Sequence, residues 1–290
     1  MFVNPISYPG NKNAILPQIV PFFPKDKALF VDVFGGSGVV GVNSAIDTVL
    51  CNDNNQFALS VLRYFYENAP DAIIADLEAI IAEYGLTYSR IKPKGFYVEY
   101  RHEGLSLYNK EGYLRLKDDY NRDGSISKLV VLLVYGFNHY LRFNSAGAFN
   151  VPVGKVDLSS SIYNNLKVFV SEIKKKTLIF SNKDFRDNSI YTEDNAFYYF
   201  DPPYLVTKAP YNTGWSENEE YALLGILDSL NERGVPFALS NVLLSNGREN
   251  LILREWSSRY HVIPIRKQYR HSNYQKKNIT DTIEVLVINY

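Results

Sequence analysis

The chain has 290 residues, 46% of them hydrophobic and 21% charged, so it can bury a large core and is not mostly disordered. Its 31 Lys and Arg balance 31 Asp and Glu, which excludes a uniformly polycationic nucleic-acid binder but leaves room for separated patches of either sign. One cysteine, Cys51, and four scattered histidines exclude an internal disulfide and offer no zinc-ligand spacing. The site is therefore expected to be metal-free and the compartment reducing.

In chain order, Asn11 can cap a helix over residues 12–23 that Pro17 and Pro21 kink or break. Short apolar runs at 29–34, 48–52, 177–181, 196–200 and 235–240 end in turn or acidic residues and read as buried parallel strands. Residues 57–126 are charge-rich and helical in pattern, with clear segments at 69–84 and 111–120, and read as an inserted helical subdomain. A hairpin or ordered loop follows around Asn144-Ser-Ala-Gly147. Helical periodicity returns at 217–233 and 247–258, and the alternating run 282–290, with Ile283, Val285 and Val287, is expected to close the sheet as an edge strand. The expected architecture is an α/β Rossmann-like sheet with helices on both faces, divided as 1–56, an insert at 57–156, and 157–290. The longest apolar run, 129–137, falls well short of the roughly 20 residues of a membrane helix, and residues 1–11 lack a secretory pattern; a cytoplasmic protein is expected.

Three motifs carry chemistry. Residues 30–38, Phe-Val-Asp-Val-Phe-Gly-Gly-Ser-Gly, run a strand into glycines that let a ligand approach the backbone at the strand's carboxyl end. Gly36, Gly38 and Gly41 also match G-x-G-x-x-G, so a dinucleotide-binding oxidoreductase has to be weighed beside an ordinary strand-to-helix turn. Asp32, close to that loop, is awkward near a pyrophosphate and favourable near a sulfonium or amino group. At the end of the second strand Asp53 is either a turn or capping residue or, following the glycine loop at this distance, a ligand for both ribose hydroxyls. The most specific signal is Asp201-Pro202-Pro203-Tyr204 after the apolar strand 196–200. Its prolines stiffen the turn, so the Asp201 carboxylate and the Pro202 carbonyl can accept hydrogens from an exocyclic amine while Tyr204 stacks on its ring. A dinucleotide oxidoreductase would leave this tetrapeptide without a task.

With these residues the chain resembles the Dam-type DNA adenine N6-methyltransferases, in Ile6-Ser-Tyr-Pro-Gly-Asn-Lys12, the glycine loop, Asn52-Asp53, Asp184-Phe185 and Asp201 to Tyr204, in the family's order. The resemblance implies S-adenosylmethionine as cofactor, bordered by Tyr8, Lys12, Asp32, Phe34, Gly35, Gly36 and Ser37, with Asp53 on its ribose and Asp184 and Phe185 at its adenine. It implies direct transfer to a flipped adenine held by Asp201, Pro202 and Tyr204, in duplex DNA, with GATC as the family's usual site. Residues 137–144 match the family's DNA-contacting region: Arg142 for a guanine, Tyr140 or Phe137 for the gap left in the stack, with Asn138 and Asn144 beside them. A cognate restriction endonuclease and a monomer or weak dimer on DNA complete the expectation. The same tetrapeptide type also serves amines in RNA or of protein glutamine; the helical insert with its aromatic and Arg-bearing loop favours duplex DNA. The charge balance hides a separation, since 248–277 hold eight basic residues against two acidic and 184–220 the reverse.

Overall fold

The apolar runs form one mixed sheet, in a computed structural model that describes residues 1–6, 10–93, 95–100, 104–207, 214–266 and 282–290. Its strands are β1 (Leu29–Asp32), β2 (Thr48–Asn52), β3 (Thr177–Ser181), β4 (Ala196–Phe200), β5 (Phe237–Ser245), the two-residue β6 (Arg248–Glu249), β7 (His261–Ile265) and β8 (Thr282–Ile288). They lie in the order β3-β2-β1-β4-β5-β8-β7, with β6 paired to β5. The first five are parallel; β8 is antiparallel to β5 and β7. From β1 the sheet grows in one direction through β2 and β3 and in the other through β4 and β5, so a switch point lies at the carboxyl ends of β1 and β4.

Side chains alternate across the strands. Phe30, Val49, Phe197 and Tyr199 face one core, and Val31, Ala196, Tyr198 and Phe200 face the other. Helices α8 (Glu217–Glu232) and α9 (Leu251–Ser257) cover the second face. The first face receives α1 (Leu16–Ile19), α2 (Val39–Asn43), α3 (Gln56–Glu67), α4 (Pro70–Glu83), α5 (Ser106–Asp123), α6 (Ile126–Tyr135) and α7 (Ser160–Ile173). The inserted helices share one continuous apolar cluster with that face. At its centre is α6, buried at every position from Leu129 to Tyr135 and packed against α3, α4 and α5. An all-round apolar helix of this length is a core helix, and no helix among the described residues is long and apolar enough to cross a membrane.

Local chemistry sets the boundaries. The Asn55 side chain caps α3 by accepting from the Phe57 and Ala58 amides, and Ser216 with Glu219 forms a capping box on α8. Pro17 and Pro21 reduce the helix expected over 12–23 to the short α1 and one 3₁₀ turn (Val20–Phe22). The helix expected over 247–258 begins only at Leu251, because Asn246 and Gly247 take positive φ and return the chain as β6 along β5. The expectation that the C-terminal run is an edge strand is corrected: β8 lies between β5 and β7. The edge at this end is β7, which went unread because Pro264 interrupts its pattern; an edge strand tolerates a residue without an N–H. The other edge is β3, which was expected to be buried but buries only Leu178, because no strand among the described residues pairs with its outer side.

Gly38 takes φ +70°, and a Cβ there would approach Leu62 Cδ2 of α3 to 2.6 Å. Gly38→Ala is expected to lower stability by about 1–3 kcal/mol through backbone strain and this overlap, measured by urea unfolding. A change below about 0.5 kcal/mol would show that the loop and α3 yield freely.

Candidate active site

The glycine loop leaves β1 and the Asp-Pro-Pro-Tyr turn leaves β4, side by side at the switch point. Between them opens a cavity of about 390 Å3, lined among others by Lys12, Asp32, Gly36, Asp53, Asp201 and Tyr204. Gly35 and Gly36 keep its wall to bare backbone. A Cβ on Gly35 would lie 3.1 Å from the Asn52 carbonyl, and Gly36 takes φ +49°. Asp53 fixes the loop, accepting from the Gly36 amide at 2.7 Å through Oδ2 and from the Asn55 amide at 2.8 Å through Oδ1. Burial raises the Asp53 pKa, and these two amides oppose the rise. Asn52 joins the strand ends, donating to the Val33 and Lys183 carbonyls.

The tetrapeptide is held by a buried cation from the N-terminal segment. Lys12 Nζ lies 2.7 Å from Asp201 Oδ1 and donates to the Tyr204 hydroxyl at 2.6 Å, while that hydroxyl lies 2.9 Å from the same Asp201 oxygen. Lys12 is 3% exposed, so the pair is little screened by water. Burial raises the Asp201 pKa, and the Lys12 charge and hydrogen bond pull it back. Tyr204 is pushed well above the usual phenol range by burial and by Asp201, and stays a neutral phenol. Pro202 is buried and lines the cavity.

Asp32 is the anomaly. It is 1% exposed, and neither carboxylate oxygen has a hydrogen-bond partner among the described residues. Burial first, and the Asp201 charge second, raise it from 3.8 to about 8. A buried acid without a donor, at the wall of a cavity, suits a cationic group arriving from outside.

The expected site residues do not all converge. Lys12, Asp32, Phe34, Gly35, Gly36, Ser37, Asp53, Asp201, Pro202 and Tyr204 line the cavity, as do Tyr140 and Arg142. Tyr8 lies outside the described residues, as do Lys267, Arg270, Lys276 and Lys277 of the basic C-terminal stretch. Asp184 does not line the cavity: its side chain is 44% exposed and forms a two-pronged pair with Arg186, at 2.7 and 2.8 Å. Phe185 is buried against Phe34 and Trp215. In the 137–150 loop, Phe137 is exposed near Tyr140, Asn138 and His139 take positive φ, and Arg142 donates through Nε to Asn150 Oδ1 at 2.8 Å. The Asn144 side chain closes its own turn by accepting from the Ala146 and Ala148 amides.

Two contributors escaped the sequence reading. Asn4, buried, donates to the Ser37 carbonyl at 2.9 Å and ties the N-terminus to the glycine loop. Glu284 of β8 is 2% exposed and lies 3.4 Å from the Tyr204 hydroxyl. Its signal was available, as a lone carboxylate within the apolar alternation of Ile283, Val285 and Val287. Among the described residues no group of three or more His, Cys, Asp or Glu is placed to hold a metal.

A parallel sheet with a glycine loop on one central strand and an Asp-Pro-Pro-Tyr turn on the next has the Rossmann-like form of the α/β methyltransferases. The chain belongs to the D12 class N6 adenine-specific DNA methyltransferase family, whose sequence profile matches residues 8–271. The type II methyltransferase M.FokI of Planomicrobium okeanokoites is 33% identical over 296 residues, which cover 99% of this chain and 43% of that protein. The modification methylase StsI of Streptococcus sanguinis is 32% identical with the same coverage. The DNA adenine methylase of Escherichia coli (strain K12) is 22% identical over 96% of this chain and 93% of its own length. The chain thus spans less than half the length of the first two relatives.

A raised Asp32 gives a pH signature. The folded protein retains a proton that the unfolded chain releases between about pH 4 and pH 8, so this residue's contribution to stability declines as pH rises through that window. Asp32→Asn removes the linkage. Thermal unfolding of the ligand-free protein is expected to show the variant gaining on the wild type as pH rises; a pH-independent difference would mean that Asp32 is ionised throughout.

Proposed function

We propose that this chain methylates the exocyclic N6 of adenine in duplex DNA with S-adenosylmethionine as donor. In this reading residues 57–156 carry target recognition between the two parts of a catalytic domain, 1–56 and 157–290. The observation that carries it is the convergence of Asp201, Pro202 and Tyr204 with the glycine loop on one cavity. The residues fit the cofactor. Asp32 offers a buried, unpartnered carboxyl to a cation, Gly35 and Gly36 offer open backbone, and Asp53 offers a carboxylate suited to two ribose hydroxyls. Asp184, exposed and paired with Arg186, is left out of this set. When bound, S-adenosylmethionine supplies a methyl group on a positively charged sulfur.

The chain's own residues do the rest. Adenine N6 is a weak nucleophile because its lone pair is delocalised into the ring. Asp201 and the Pro202 carbonyl accept hydrogen bonds from its two N–H groups, favour a pyramidal nitrogen and stabilise the charge that develops there, and the methylated nitrogen then releases one proton to solvent. Lys12 opposes the effect of burial and favours the ionised form of Asp201. Tyr204 offers a stacking face that offsets part of the few kcal/mol needed to flip the base from the helix. For recognition, Asn150 presets the Arg142 guanidinium for a guanine edge, while Phe137 and Tyr140 present aromatic surface to the vacated stack. Asn138 lies beside them, and Asn144 shapes the loop that carries them.

GATC is the site expected from the Dam-type members, but the relatives at 31–33% identity bear names of type II and modification methylases, whereas the DNA adenine methylase of Escherichia coli stands at 22%. Those names also support a cognate restriction endonuclease as partner in a cytoplasmic modification system, with the chain acting as a monomer or weak dimer on DNA. Plasmid DNA treated with the protein and labelled cofactor, then mapped for N6-methyladenine, tests both activity and site; absence of label in adenine would overturn the function, and a motif other than GATC would correct the site alone. Asp201→Ala is expected to lower kcat by at least about 100-fold with DNA binding retained. Arg142→Ala is expected to relax discrimination at one base pair by about 1–3 kcal/mol, measured by competition among duplexes; unchanged site preference would remove Arg142 from the recognition set.

A further inference from the structure

The Tyr204 hydroxyl stands where three charged side chains meet. Lys12 Nζ donates to it at 2.6 Å, Asp201 Oδ1 lies at 2.9 Å, and Glu284 Oε1 at 3.4 Å. A phenol carries one hydrogen, so the hydroxyl serves one carboxylate at a time. At these distances Asp201 receives it, and Asp201 Oδ1 then accepts from both Lys12 and Tyr204. Yet this is the carboxylate from which the mechanism above demands acceptance of a substrate amine. Glu284 reaches the same hydroxyl from β8, 80 residues away in sequence, where it sits opposite Val242 of β5 and Ile265 of β7. An acid at this buried position carries a desolvation cost that a Leu or Val there would avoid.

We propose that Glu284 is a positioning residue for methyl transfer, the alternative acceptor to which the Tyr204 hydroxyl turns when the target amine approaches Asp201. Turning the hydroxyl releases one lone-pair position on Asp201 Oδ1 while Lys12 stays in place, and it keeps the far end of the Tyr204 ring anchored. Only hydrogen bonds are exchanged, and no proton changes owner. The negative charge of Glu284 also adds to the upward pressure on the Asp201 pKa, which sharpens the need for Lys12 between them. The inference rests on the reading of Asp201 as the acceptor of the amine.

The test uses the full chain, duplex DNA methylated by the wild type, and S-adenosylmethionine, with single-turnover rates measured beside duplex affinity and S-adenosylhomocysteine affinity. Glu284→Leu removes the acceptor at similar volume and is expected to slow transfer about 30- to 100-fold with both affinities within about twofold; Glu284→Gln keeps an acceptor oxygen, though an uncharged one, and is expected to slow it only about threefold to tenfold. If the Leu variant does not fold, a double-mutant cycle decides: Glu284→Gln is expected to slow the wild type about threefold to tenfold and to have no further effect in the Tyr204→Phe background. Equal slowing in both backgrounds, or a Leu variant as fast as the wild type, would overturn the role of Glu284 and leave the proposed function standing. A wild type that labels no adenine in any duplex would overturn both.

Discussion

The site depends on the parallel pairing of β1 with β4. Leu29 to Asp32 register against Ala196 to Tyr199, and the Val33 amide extends the ladder to the Tyr199 carbonyl. This seam is where strand order reverses, so the loops leaving its two strands diverge and open a cavity between them. One loop carries the glycines and the other the tetrapeptide. A one-residue slip in this register would turn Asp32 from the cavity into the opposite core and replace it with an apolar neighbour. Backbone hydrogen bonds between two short apolar strands thus decide which carboxylates meet.

Those carboxylates give the cavity its electrostatic character. Asp32, Asp53 and Asp201 line it with Lys12 buried among them, and Glu284 stands behind Tyr204. Such an excess of buried acid is unfavourable on its own. The strain is distributed: Asp53 is relieved by backbone amides and Asp201 by Lys12, whereas Asp32 is driven toward its neutral form. A cationic ligand enters a site already biased to receive positive charge.

Much of this was legible in the sequence, and the exceptions are instructive. The strands 48–52, 177–181 and 196–200 were readable to the residue because parallel strands are short continuous apolar runs with polar ends, although only 196–200 is buried throughout and 177–181 is an edge. The antiparallel end was not: β7 carries a proline and β8 alternates like an edge, although it is paired on both sides. Lys12, Asp53 and Asp201 could be named from motifs because each adjoins an asparagine or a proline, and Asp32 because it lies three residues before the glycine loop. Glu284 lies in a segment without such punctuation and Asn4, although it precedes Pro5, belongs to none of the motifs; their proximity to the site is a product of tertiary folding. The family's acidic position after β3 illustrates the converse. Asp184 was legible as a motif, but Arg186, two residues on, captures it.

The stacking of Phe57 on Phe143, with ring centroids 3.8 Å apart, has a thermodynamic corollary. Phe57 opens α3 directly behind the Asp53–Asn55 turn that grips the glycine loop, and Phe143 belongs to the loop that presents Arg142. The two loops are therefore joined through two rings and one helix cap. Any coupling that this contact carries between the two sides of the cavity is reciprocal by linkage: whatever one ligand contributes to the affinity of the second, the second returns to the first.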